Sequence, residues 1–196
     1  MAENWRLFIA IELPENLIQR IARVQEQLEK QIPARAVRWV KPESIHLTLK
    51  FLGDVETTRI DSLSPALVQA TASHSSFSLE VAELGCFPNT RRPRVLWLGL
   101  YGEVEPLGRL QQSVESRIVE LGFEPEDRPF SPHLTLARVQ RGINRDDVSK
   151  VGLAAERGLA KPVGGWQVTS LSLMRSQLKP SGAIYTEVHR ATLSDD

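Results

Sequence analysis

The tetrapeptide His-Leu-Thr-Leu stands at His46 and again at His133, and the order of segments around the first copy recurs around the second. Residues 6–11 read as a short apolar strand leading into a helix opened by Leu13-Pro14. That helix has Leu17, Ile21, Val24 and Leu28 at helical spacing and Pro33 as its stop. A brief strand over 37–40 breaks at Lys41-Pro42, and 45–52 reads as a strand closed by Gly53. A helix with Ile60, Leu63 and Leu67 on one face follows, weakened by Pro65 inside it. Strands over 77–87 and 94–100 flank a hairpin-like connection running from Pro88 to Pro93. The second half restates this order. Leu107, Leu110, Val114, Ile118 and Leu121 form the stripe of a long helix, and 131–139 is another strand. Asn144 caps a weaker helix, and strands over 166–174 and 183–189 surround a Lys179-Pro180-Ser181-Gly182 turn.

The offsets between matching positions are 94 − 6 = 88 for Arg6 and Arg94, 133 − 46 = 87 for the histidines, and 166 − 77 = 89 for Phe77 and Trp166. A β-α-β-α-β order repeated at one spacing predicts two related lobes. The expected fold is α+β and bilobal: two pseudo-symmetric lobes, each an antiparallel sheet with helices on its outer side, enclose a cleft between their inner faces. No linker or low-complexity stretch separates the halves, so residues 1–196 read as a single domain of two interleaved lobes.

Side chains alternate along a strand, so His46 and Thr48 share one face while Leu47 and Leu49 turn to the core. His133 and Thr135 repeat the arrangement against Leu134 and Leu136. Two polar His/Thr pairs would then face one cleft. Splitting a cyclic phosphodiester needs a base to activate water and an acid to protonate the leaving oxygen, on opposite sides of phosphorus. One imidazole from each lobe meets that demand near neutral pH. The threonine hydroxyls can donate to the non-bridging oxygens, where charge grows. The chain holds four histidines and nine threonines, so two histidines with Thr two residues on is a coincidence on the order of 1%. A structural His on an apolar strand is the bland alternative, but buried His and Thr are poor core choices without partners. No Asp, Glu or Cys cluster at ligand spacing and no glycine-rich phosphate loop accompanies the motif, so neither metal nor cofactor is expected.

Charge and composition narrow the partner. Lys+Arg and Asp+Glu both number 24, without the basic excess usual for gripping long nucleic acid, so a small substrate or an RNA end is expected. Hydrophobic residues make up 41%, enough for a sizeable core. The single cysteine, Cys86, cannot form an internal disulfide, fits a reducing compartment, and is expected to be a small buried residue. The N-terminus does not read as a signal peptide and no apolar run approaches membrane-spanning length, so a cytoplasmic, monomeric protein without a membrane partner is expected.

RLFIAI at 6–11, WVKPESIHLTLKFLG at 39–53 and SPHLTLAR at 131–138 resemble the 2H phosphoesterases, and among them the bacterial and archaeal RNA 2′,3′-cyclic phosphodiesterases, also described as 2′-5′ RNA ligases. The resemblance covers essentially the whole chain. It implies hydrolysis of an RNA-terminal 2′,3′-cyclic phosphate to a 2′-phosphate without a metal, on RNA ends or small nucleotides. His46 would be the proton donor and His133 the proton acceptor, with Thr48, Thr135 and Arg138 binding phosphate.

Arg138 lies five residues past His133, so a regular strand would turn it away from the cleft, and a bulge is needed to bring it back. Lys50 shares parity with His46 and could add charge to the cleft, but its counterpart is the neutral Ala137, and a surface lysine at the strand's end is an equal reading. Arg91, Arg92 and Arg94 read as a solvated tip before a guide for RNA. Phe8, Trp39 and Phe130 read as core before base-stacking platforms. His74 and His189 lack the motif and carry no catalytic expectation. The alternatives are 2′-5′ RNA ligase activity, which the same residues would serve, and a nucleotide-binding module without turnover. Water at roughly 55 M favours hydrolysis unless an acceptor RNA is held in place.

Overall fold

The computed structural model describes residues 3–159, 161–179 and 182–194. In chain order the elements are β1 (Asn4–Glu12), α1 (Glu15–Glu29), β2 (Val37–Trp39), β3 (His46–Glu56), α2 (Ile60–Thr71), β4 (Phe77–Phe87), β5 (Val95–Gly102), α3 (Val104–Glu120), β6 (His133–Val139), α4 (Arg145–Arg157), β7 (Gly164–Val168), β8 (Ser170–Lys179) and β9 (Gly182–Thr192). The fold is α+β with two antiparallel half-sheets, as the repeat predicts. One half-sheet runs β3-β1-β8-β9 and the other β7-β4-β5-β6, with β2 added beside β6. They join where β3 meets β6, in register at Leu47 and Leu134.

The pseudo-symmetry holds residue by residue. Ala10 pairs with Thr48 as Trp97 pairs with Thr135, offsets of 97 − 10 = 87 and 135 − 48 = 87. Phe8 pairs with Met174 as Val95 pairs with Phe87, again 95 − 8 = 87 and 174 − 87 = 87. The helical stripes pack as their spacing demands, with Leu17, Ile21 and Leu28 of α1 and Leu107, Leu110, Val114 and Ile118 of α3 buried. Each long helix runs beneath the other half-sheet. Gln25 of α1 donates to the Leu136 carbonyl of β6 at 3.1 Å, and Glu115 of α3 meets Lys50 of β3 at 2.7 Å. Asn144 caps α4 by accepting from the Asp147 amide at 2.8 Å. Cys86 is buried and free.

Pro65 lies inside α2, as the sequence has it, and the buried Leu63, Ala66, Leu67 and Ala70 outweigh one missing backbone bond. Two expectations need correction. Gly53 does not close β3, which continues to Glu56. With φ of 73° it makes an irregularity where Leu7 pairs with Gly53 and Phe8 with Phe51. The strand expected over 166–174 is two strands. β7 pairs with β4, while β8, only Thr169 later, pairs with β1 on the far side of the sheet order. Successive Cα atoms lie only about 3.8 Å apart, so the sheet must curl until its ends adjoin. The Leu193 amide closes this seam by donating to the Thr169 carbonyl at 2.8 Å. Pro180 and Ser181 of the expected turn lie outside the described residues.

Candidate active site

Each His-x-Thr segment begins a strand in the same way. Ser44 and Ser131 stand two residues before the histidines, and their carbonyls lie 2.9 Å from His46 Nδ1 and 2.8 Å from His133 Nδ1. A carbonyl only accepts, so Nδ1 carries a proton in both rings and Nε2 is left as the working nitrogen. Neutral, such a ring accepts a proton at Nε2; charged, it donates one from the same atom. The Leu47–Leu134 register places His46 across from Thr135 and His133 across from Thr48, around the pseudo-twofold axis. Leu47 and Leu134 themselves are fully buried on the opposite face.

A matched pair of bulges decides what else reaches this face. On β6, Thr135 pairs with Trp97 and Ala137 with Leu96, so Leu136 has no partner. On β3, Thr48 pairs with Ala10 and Lys50 with Ile9, so Leu49 has none. The skipped residue shifts the alternation by one. Leu136 and Ala137 are both buried, and Arg138 returns, exposed, to the face of His133 and Thr135. By the same shift Leu49 and Lys50 are both buried. Lys50 lies neither in the cleft nor on the surface: its Nζ lies 2.7 Å from Glu115 and 3.0 Å from the Glu124 carbonyl, on the helix side. Phe51 takes the cleft-facing place instead, 64% exposed. Because 138 − 51 = 87, Phe51 is the counterpart of Arg138. Sequence reasoning missed Phe51 because it carried strict alternation past Leu49.

The two imidazoles sit in different surroundings. His46 is half-buried and stacked on Phe8, with ring centroids 4.7 Å apart and planes at 28°, while Tyr185 meets it edge-on at 5.0 Å. Burial pushes His46 down to about 4, against a smaller opposing effect of the Ser44 carbonyl. His133 has one aromatic neighbour, the edge of Phe87 at 5.0 Å. Phe8, Ala10 and Met174, with Tyr185, form a small apolar cluster under the first ring. Beside it Ser172 lies 3.0 Å from Glu12 and 2.8 Å from Glu187, and Arg190 reaches both carboxyls. Burial and the hydrogen bond to Glu187 raise Glu12. Burial opposes ionisation of Glu187 too, but bonds from Arg190 and Ser172 hold it below the usual carboxylate range. Nothing in the spacing marks this group, which depends on β8 and β9 joining β1.

The remaining candidates lie elsewhere. Phe8 is buried under His46, while Trp39 and Phe130 pack against the main core. Arg91, Arg92 and Arg94 are exposed at the β4–β5 connection. His74 bonds Ser113 at 2.8 Å, and His189 lies on β9 opposite Leu173. Among the described residues no three of His, Cys, Asp and Glu converge as a metal-holding group, and no helix is long and apolar enough to cross a membrane.

Comparison with known proteins returns the same duplication. The LigT like Phosphoesterase family matches residues 11–97 and again residues 100–185. An RNA 2′,3′-cyclic phosphodiesterase of Methanothermobacter thermautotrophicus is 37% identical over 93% of this chain and 96% of its own length. One of Methanocaldococcus jannaschii is 31% identical over 92% and 96%. Among solved structures, Escherichia coli LigT complexed with 3′-AMP superposes with a TM-score of 0.78 at 27% identity, covering 98% of this chain and all of that one. TT0787 of Thermus thermophilus gives 0.77 at 28%, covering 97% and 99%.

Proposed function

This chain belongs to the LigT-like phosphoesterase family, matched across both its halves, and on that premise we propose that it hydrolyses the 2′,3′-cyclic phosphate at an RNA end to a 2′-phosphate. His133 Nε2 takes a proton from water as the water oxygen bonds to phosphorus. The P–O3′ bond breaks on the opposite side, and His46 gives its Nε2 proton to the departing ribose oxygen. Thr48 and Thr135 donate hydroxyl hydrogen bonds to the non-bridging oxygens, and Arg138 neutralises their charge through its guanidinium fork. The observation that carries this reading is the matched anchoring of both rings: each gives Nδ1 to a carbonyl two residues upstream, and each keeps Nε2 for a proton transfer.

His46 held at about 4 is neutral in an empty cleft at neutral pH. A proton donor needs its proton, and the anionic cyclic phosphate supplies the field that lets His46 hold one. Phe51, exposed in His46's half of the cleft, offers a face on which the base of the terminal nucleotide stacks. That seating puts the ribose and its 3′-oxygen beside His46 and leaves water on the His133 side. The enzyme acts as a cytoplasmic monomer of one domain, on RNA ends or small nucleotides bearing the cyclic phosphate, with no membrane partner.

The test is to incubate the protein with a short RNA ending in a 2′,3′-cyclic phosphate, in excess chelator, beside His46→Ala and His133→Ala. A chelator-resistant 2′-phosphate product absent from both variants is expected. A 3′-phosphate would reverse the leaving group, a 2′-5′ joined product would make the protein a ligase, and tight binding without turnover would make it a nucleotide-binding module.

A further inference from the structure

β2 is only three residues long, yet it sets two arginines side by side. Arg38 of β2 is the direct antiparallel partner of Arg138 of β6. Residues directly opposite in such a ladder share a face, with Cβ atoms about 5 Å apart. The face is the cleft face, because Arg38 and Arg138 are exposed, while Val37 on one side and Ala137 on the other are buried in the core. Like charges placed directly opposite destabilise a sheet. Among the described residues neither guanidinium has a carboxylate within 4.0 Å, although nine other ion pairs form. The pair is thus held together by the fold without an internal counter-ion.

The repeat sharpens the point. Arg38 corresponds to 38 + 87 = 125, a proline, and Arg138 to Phe51. The matching place in the other lobe therefore holds Pro125 and Phe51, outside any second short strand. Where β3 parts from β6, β2 takes over the ladder, so Arg38 lies on the seam between the lobes. Arg138 is three residues past Thr135, roughly 10 Å along the strand. One guanidinium is enough for the reacting phosphate; a second, uncompensated one beside it calls for a second anion.

We propose that Arg38 is a substrate-binding residue that holds the phosphodiester on the 5′ side of the terminal nucleotide, beside the Arg138 that serves the reacting phosphate, so that the site prefers an RNA end to a free cyclic mononucleotide. This rests on the phosphodiesterase reading above. The experiment compares uridine 2′,3′-cyclic phosphate with a dinucleotide ending in the same group, for the wild type and Arg38→Gln, across a range of KCl concentrations. The ratio of kcat/KM for dinucleotide over mononucleotide should fall about tenfold in the variant. Its salt dependence on the dinucleotide should shallow by about 0.7 in log–log slope. The melting temperature should hold or rise, because one of two facing like charges is gone; a merely structural arginine would lower it. An unchanged ratio, or equal losses on both substrates, would overturn the proposal. Failure of the wild type to turn over either substrate would remove the phosphodiesterase reading itself, and this one with it.

Discussion

The two halves of the cleft share the strand register around their histidines and differ in much that is laid on it. In one, His46 is pressed against Phe8 and Tyr185, with Phe51 exposed beyond it and the Glu12–Ser172–Glu187 group nearby. In the other, Phe87 is the aromatic neighbour of His133, and beyond it stand Arg138 and Arg38. The register keeps two equal sites open for imidazoles. The substitutions around them set aromatic rings beside one imidazole and free cations beside the other. A cyclic nucleotide is divided in the same way, with a flat base at one end and phosphate at the other. In the proposed reaction the repeat supplies the paired proton-transfer groups, and its breakdown supplies the direction of attack.

Removing either ring erases this comparison, so the largest effects belong there. His46→Ala and His133→Ala should each lower kcat by about 10³–10⁴, and the double variant should be little worse, because acid and base act in one step. Single-turnover kinetics would check this; strictly multiplying losses would separate the two rings. Next comes the cationic side. Arg138→Ala should cost about 10² in kcat/KM, whereas Phe51→Ala should raise KM severalfold and leave kcat nearly intact. Similar losses from both would mean that the halves do not divide phosphate from base.

Titration tests the polarity. His46 should titrate near 4 in the free protein and higher once a nucleoside 2′-phosphate is bound, as read by NMR of the imidazole. If the value stays near 4 with product in place, His46 is the base and the assigned roles exchange. Phe8→Leu should raise the free value by loosening the ring's burial. The smallest effect is on stability. An unfolded His46 takes up a proton as pH falls through about 6.5, while the folded one resists until about 4. Folding stability therefore declines as pH drops across that window, by on the order of 3 kcal/mol. A denaturation series from pH 7 to pH 4 should show this decline, and Phe8→Leu should flatten it.

Much of this was open to reading in the primary structure. The His-x-Thr repeat located both rings and both half-sheets, because strand alternation and helical spacing are local rules. Three things lay beyond those rules. The bulges at Leu49 and Leu136 are pairing events, visible only once β1 and β5 are alongside. They exchanged Lys50 for Phe51 and returned Arg138 to the cleft. The division of 166–174 into β7 and β8 depends on which neighbours the chain meets, since an extended run looks the same whichever sheet receives it. Arg38 was passed over because nothing near it in the chain announces that β2 will lie against β6.

That run through Thr169 has a consequence for how the molecule comes apart. One continuous stretch is an edge strand for one lobe and an inner strand for the other, like a seam sewn through two pieces of cloth. The β1 strand, made first, waits for β8 from near the end of the chain before its second edge is covered. Such distant pairing slows folding and ties the lobes into one cooperative transition. The first hundred residues made alone would expose β1 as an unpaired apolar edge, and half of this duplicated protein would aggregate sooner than fold.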